Sequence, residues 1–147
     1  TGDVSAIAKA ARPAGPAPLL EIEQPVNAFF RGDYFGDIVN NLKHTGGEFS
    51  EACLKKLARS SPLAMAATIE LIHRVRGLDD IVLALGMEYR FTYRAAEQGD
   101  FIEGIRAMVI DKDKSPKWRH AMTDPLLPAA SAMLRPLGPH SLDLTEN

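Results

Sequence analysis

Apolar positions recur along the chain at helical spacing, and the breaks between them carry residues that stop helices. Phe35, Ile38, Val39 and Leu42 stand at i, i+3, i+4 and i+7, one face of a helix that Gly46 and Gly47 end. Upstream, residues 3–11 predict a short helix with Asp3 as N-cap and Val4, Ile7 and Ala8 on one side, before Pro13, Pro16 and Pro18 form a hinge. A helix begun at Pro25 carries Val26, Phe29 and Phe30 as far as Gly32. Another over about residues 48–59 lines up Phe49, Cys53 and Leu57.

The second half has longer elements. Ser61 before Pro62 reads as an N-cap and first-turn proline, followed by Leu63, Ala66, Ala67 and Leu71 to about Arg76, with Gly77 as a left-handed stop. Asp79 predicts the cap of a helix of about nineteen residues, with Leu78 and Leu83 as a hydrophobic staple and Ile81, Ala84, Leu85, Phe91 and Ala95 facing inward. Gly99 closes it. Asp100 and Glu103 form a carboxylate variant of the capping box for a helix begun at Phe101, and a short helix around Leu127 to Leu134 follows in a proline-rich tail. With no period-2 strand and no hairpin dipeptide, the pattern is all-α. It divides into 1–18, an N-terminal helix and linker; 19–60, short helices; 61–120, three helices with a basic end; and 121–147, the tail.

Composition narrows the chemistry. A net charge of −2 in 147 residues gives no general pull on nucleic acid or anionic membrane, and no apolar run approaches the ~20 residues of a membrane span. Cys53 is alone, so neither an internal disulfide nor a CxxC pair is possible, which suits a reducing, cytoplasmic compartment. The chain starts with Thr1, so it reads as a processed protein or a piece of a longer one.

His44, His73, His120 and His140 lack the spacing of a helical metal site, and no metal is expected. Gly99 and Gly104 have phosphate-loop spacing, but Ile105 and Arg106 stand where Lys and Ser or Thr are needed. Cys53, on the apolar line of its helix, reads as a buried inert thiol. Among carboxylates, Glu88 in MEYRFTYR is the best general acid or base, against the plainer reading that it pairs with an arginine between helices.

The remaining signal is KDKSPKWR, in which Lys112, Lys114, Lys117 and Arg119 face Asp113 alone. Part of that excess suits a helix C-terminus. Trp118 among the charges offers either a π-face for an adenine beside phosphates or an apolar anchor for the tail.

The stretch MEYRFTYRAAEQGDFIEGIRAMVIDKDKSPKW, with SSPLAMAATIELI and DIVNNLKHTGGEFSEACLKKL upstream and SLDL downstream, resembles the C-terminal part of 3-hydroxyisobutyryl-CoA hydrolases, of the enoyl-CoA hydratase/isomerase (crotonase) superfamily. The resemblance covers roughly residues 25–144. It implies a multi-helix region separated from a ββα spiral core that holds the oxyanion donors and acidic catalytic residues, so no catalytic residue is expected in this chain and no activity from it alone. It also implies a CoA thioester as substrate with no other cofactor, a role in valine breakdown, the N-terminal core and a homo-oligomer as partners, and a mitochondrial matrix location in a eukaryote. Carried onto this sequence, Lys112, Lys114, Trp118 and, more weakly, Lys117 are the CoA-binding positions. Two readings compete: a segment of a hydratase or isomerase paralogue, and an autonomous helical module that docks a protein partner. In the separated chain the first helix is expected to stand off the remainder.

Overall fold

The computed structural model describes residues 4–13 and 15–144, and among them the secondary structure is helical, with no strand. In order the helices are α1 (Ser5–Ala10), α2 (Pro18–Glu21), α3 (Glu23–Phe29), α4 (Phe35–Thr45), α5 (Gly47–Leu57), α6 (Pro62–Val75), α7 (Ile81–Ala95), α8 (Phe101–Ile105) and α9 (Leu127–Met133). A π-helical turn, Arg106–Ile110, continues α8, and a 3₁₀ turn, Gly138–His140, follows α9.

The expected face of α4 is the one that packs: Phe35, Ile38, Val39 and Leu42 are all buried. Gly46 and Gly47, at φ 63° and 87°, supply the left-handed turn into α5. At the centre, α6 meets α9, with α4 and α7 against α6. Phe35, Val39, Ala66, Ala67, Leu126 and Ala130 form one buried cluster, flanked by Leu54, Met65, Ile69, Phe91 and Met122. The alanines matter here because small side chains let helix backbones approach while larger neighbours fill the flanks. Phe29 reaches Phe49 at a ring separation of 5.7 Å, joining α3 to α5.

The end of α9 is held by charge. Arg94 donates to the carbonyls of Met133, Arg135 and Pro136 at 3.0, 2.8 and 3.2 Å, and Arg90 to that of Leu134 at 3.3 Å. Met133 and Leu134 are at the helix end, where carbonyls lack intrahelical partners, and Arg135 and Pro136 follow just beyond it.

Several local expectations shift. Asp80, not Asp79, caps α7, accepting from the N–H groups of Val82 and Leu83 at 2.9 and 3.2 Å. That move sets Leu78 two places before the cap, out of staple register, and α7 runs 15 residues. Its N-terminal half stands off the core: Ile81 is 70% exposed, and Leu85 is exposed too, while Ala95 at the other end is buried. Only the half tied down by Arg90 and Arg94 has α9 to pack on. Pro25 lies at the third position of α3, still within the first turn where its missing N–H costs nothing. Gly77 is not left-handed, because the turn after α6 closes through Arg76 with the Leu78 N–H on Val75 O. Gly99 is needed for space instead, since a Cβ there would lie 2.9 Å from Ala95 O. Asp3 lies outside the described residues; α1 carries no buried residue. Cys53 is half-buried.

Two substitutions test this packing. Ser50 is fully buried and its hydroxyl has no hydrogen-bond partner among the described residues; Ser50→Ala should therefore raise stability by about 1 kcal/mol, read as a higher thermal midpoint by circular dichroism. Gly99→Ala forces the new methyl against backbone that cannot swing aside and should lower stability by about 1–3 kcal/mol in the same assay.

Candidate functional site

The region from Asp100 to Arg119 is built on one buried carboxylate. Asp100, 7% exposed, accepts the Ser61 hydroxyl proton at 2.5 Å through Oδ2 and the Arg119 N–H at 3.0 Å through Oδ1. Ser61 in turn accepts from the Ala64 N–H at 3.1 Å, so the cap of α6, the start of α8 and the end of the basic segment are one network. The expected capping box is therefore not formed. Asp100 occupies the N-cap position of α8, but its oxygens are committed to long-range partners, and Glu103 turns to Arg106.

After Ile105 the helix widens. Asp111 N–H donates to Arg106 O at 2.8 Å, an i→i+5 bond that brings residue 111 round to the side of residue 106, where an α-helix would carry it away. Arg106 exploits this. Its Nε and Nη2 donate to the two oxygens of Glu103 at 2.9 and 2.8 Å, and its Nη1 to Asp111 and Asp113 at 2.6 and 2.7 Å. A further Nη2 bond reaches Ser115 O at 3.2 Å, so every guanidinium N–H has an acceptor. Hydrogen bonds from Arg106, then from the Lys117 N–H, hold the Glu103 carboxyl down at about 2, against an ordinary 4.5. Asp113 is lowered by Arg106 and then by the Ser115 N–H, and the guanidinium itself is pushed further above its usual range by Glu103, Asp113 and Asp111.

The loop beyond is tightly shaped. Lys112 and Lys114 sit at φ 55° and 54°, left-handed conformations that cost of order 1–3 kcal/mol each outside glycine. The Lys114 N–H closes onto Ala107 O at 3.0 Å, and the Lys117 N–H onto Glu103 at 2.6 Å. The side chains of Lys112, Lys114 and Lys117 are exposed, and among the described residues none has a carboxylate within ion-pair distance.

Trp118 turns the other way. It is half-buried, and its ring edge lies against Gly104, where an added Cβ would sit 3.7 Å from Cη2. Its Nε1 is buried without a hydrogen-bond partner among the described residues. The indole borders a cavity of about 380 Å³ shared with Leu63, Phe91, Ala95, Gly104 and Met108. Of the four sequence-assigned positions, three lysines thus stand on the outer loop and the tryptophan is folded inward, which favours the anchor among its two open readings. Met108, Val109 and Ile110, on the π turn, are all exposed.

Glu88 is exposed and, among the described residues, forms no ion pair, so the expected arginine partner is not found there; its carbonyl accepts from Thr92 Oγ1 at 3.1 Å. Among the described residues no group of three His, Cys, Asp or Glu could hold a metal, and no helix is long and apolar enough to cross a membrane. Arg106 and Ser61 were missed as organisers. The signal for Arg106 was present in the acids at 103, 111 and 113, but an α-helical reading puts residue 111 on the wrong side.

The family model described as enoyl-CoA hydratase/isomerase matches residues 3–131. The mitochondrial 3-hydroxyisobutyryl-CoA hydrolase of Bos taurus is 33% identical over 108 residues, 72% of this chain and 27% of its own. That of Gallus gallus is 30% identical over 129 residues, 86% of this chain and 33% of its own. A crystal structure of an enoyl-CoA hydratase from Rhodobacter sphaeroides superposes with a TM-score of 0.81 at 40% identity, covering 95% of this chain and 43% of that one. The chain thus spans about a third or less of these two curated relatives.

The Glu103 carboxyl gives a pH test. Its pKa is depressed on folding, so the stability it contributes is complete above 4.5 and is lost as pH falls toward about 2. Thermal midpoints taken across that window should drop steeply for the native sequence and less steeply for Glu103→Gln, which is already less stable at neutral pH. Parallel curves would show that the carboxylate does not hold the loop.

Proposed function

Because the chain belongs to the enoyl-CoA hydratase/isomerase family, we propose that it is the C-terminal helical region of an acyl-CoA thioester hydrolase resembling 3-hydroxyisobutyryl-CoA hydrolase. The carrying observation is the likeness to relatives of that name, together with Lys112 and Lys114, exposed on a shaped loop and without an ion pair among the described residues. In this reading the region covers the acyl-CoA pocket and makes oligomer contacts, while the oxyanion donors and acidic residues of the reaction lie in an N-terminal core. Lys112 and Lys114 contact the anionic nucleotide end of CoA, with Lys117 as a weaker contributor. Trp118 supports the loop from behind and borders the cavity, and no cofactor beyond the thioester substrate is required.

The exposed apolar residues agree with such a role. Ile81, Val82 and Leu83 on α7, Phe101 and Ile102 on α8, and Met108, Val109 and Ile110 on the π turn are all exposed, in three apolar runs. The core and neighbouring subunits are the surfaces we assign to them. The parent enzyme acts in valine breakdown, in the mitochondrial matrix of a eukaryote or the cytoplasm of a bacterium. A second reading, part of a hydratase, is favoured by one observation, the 40% identity to the Rhodobacter enzyme.

Isothermal titration with CoA tests the site. The folded chain should bind, and Lys112→Ala with Lys114→Ala should weaken binding about tenfold or more, the scale of losing charge-assisted hydrogen bonds. Trp118→Ala should weaken it less. A folded sample that ignores CoA would overturn a nucleotide site carried by this region alone and leave the docking role.

A further inference from the structure

The sequence Asp111, Lys112, Asp113, Lys114 alternates sign, and on composition alone it would neutralise itself. In the folded chain it does not. Both aspartates are drawn to Arg106 Nη1 at 2.6 and 2.7 Å, and Glu103 takes the Nε side, leaving the neighbouring ammonium groups without an ion-paired carboxylate among the described residues. We propose that Arg106 is a positioning residue for anion recognition: it withdraws Asp111 and Asp113 from Lys112 and Lys114 and fixes the loop that presents both lysines to the phosphates of a CoA-type nucleotide. The inference rests on the nucleotide role proposed above and deepens it.

Two features make arginine specific to the task. Five N–H donors are needed to serve Glu103 twice, Asp111, Asp113 and Ser115 O, and a lysine offers three from a single point without the planar fork. The left-handed backbone at Lys112 and Lys114 also has to be held from outside, since neither residue favours it. The bonds that do so, Arg106 to Ser115 O and the Lys114 N–H to Ala107 O, span the loop from the π turn. Arg106 itself has no donor left for a ligand, which separates its role from that of the lysines.

The test compares the native chain with Arg106→Gln, with Arg106→Lys, and with Arg106→Gln combined with Asp111→Asn and Asp113→Asn, each checked for helix content by circular dichroism. CoA affinity is read by isothermal titration. Lysine availability is read separately, as the rate at which Lys112 and Lys114 are acetylated by acetic anhydride, followed by mass spectrometry. Arg106→Gln should bind CoA about three- to tenfold more weakly, the scale of one or two exposed ion pairs turned inward, and its two lysines should react more slowly. The triple variant should regain the acetylation rate and part of the affinity, because its aspartates can no longer neutralise the lysines while its loop still lacks the Arg106 bond to Ser115 O; a role for Arg106 in holding the loop alone would give no such recovery. Arg106→Lys should fall nearer to Arg106→Gln than to the native chain, and it keeps the comparison alive if the glutamine variant unfolds. Native affinity in Arg106→Gln, or no recovery in the triple variant, would overturn the proposal while leaving the lysine site intact. If Lys112→Ala and Lys114→Ala leave CoA binding unchanged, the nucleotide role itself falls, and the acetylation rates still decide whether Arg106 keeps the carboxylates away.

Discussion

A single buried carboxylate organises the part of the molecule that matters most. Asp100 holds the hydroxyl that caps α6 and the backbone N–H of Arg119, two groups that stand 39 and 19 residues from it in the chain. Burying a charge is expensive unless its oxygens are satisfied, and here each has a donor. The result is a closed loop of chain, from Asp100 through α8 and the π turn to Arg119, pinned at Asp100 and tied through Ser61 to the start of α6. Everything between those ends, including the Arg106 cluster and the left-handed lysines, is shaped inside that constraint.

Much of the fold was legible in the sequence because it obeys local rules. The α4 face, the Ser61–Pro62 start of α6 and the Gly46–Gly47 turn follow from spacing and capping alone, and each is found as expected. What could not be read is what depends on distant partners. Asp100 looks like a capping residue for α8, and its sequence gives no hint that Ser61 claims it. The apolar stripe at the start of α7 predicts burial, yet burial requires a neighbour, and α9 reaches only the other half of that helix. Periodicity reports which face is apolar, not what lies against it.

The candidate site divides the same way. Lysine clustering was visible as composition, whereas their freedom from the intervening aspartates is a property of Arg106, which a helix of regular pitch would have separated from Asp111. Trp118 was open between ligand platform and anchor; its contact with Gly104 and the cavity behind it is a matter of tertiary packing. Gly104 thus acts as the seat for an aromatic ring, a role its phosphate-loop spacing did not suggest. Two different kinds of surface result, an ordered cationic loop and exposed apolar residues on α7, α8 and the π turn.

The π turn also sets the phase of all that follows it. A wide turn is equivalent to one residue more than a regular helix would hold, and each helical residue advances the chain by about 100°. Loss of one residue inside it would place Asp111 four positions after Arg106, where a regular helix already returns it to the same side, whereas straightening the turn with every residue kept would swing the acid about 140° from the guanidinium. The turn is in this sense the device by which the chain holds one apolar residue more than regular pitch allows without turning its acids away from Arg106.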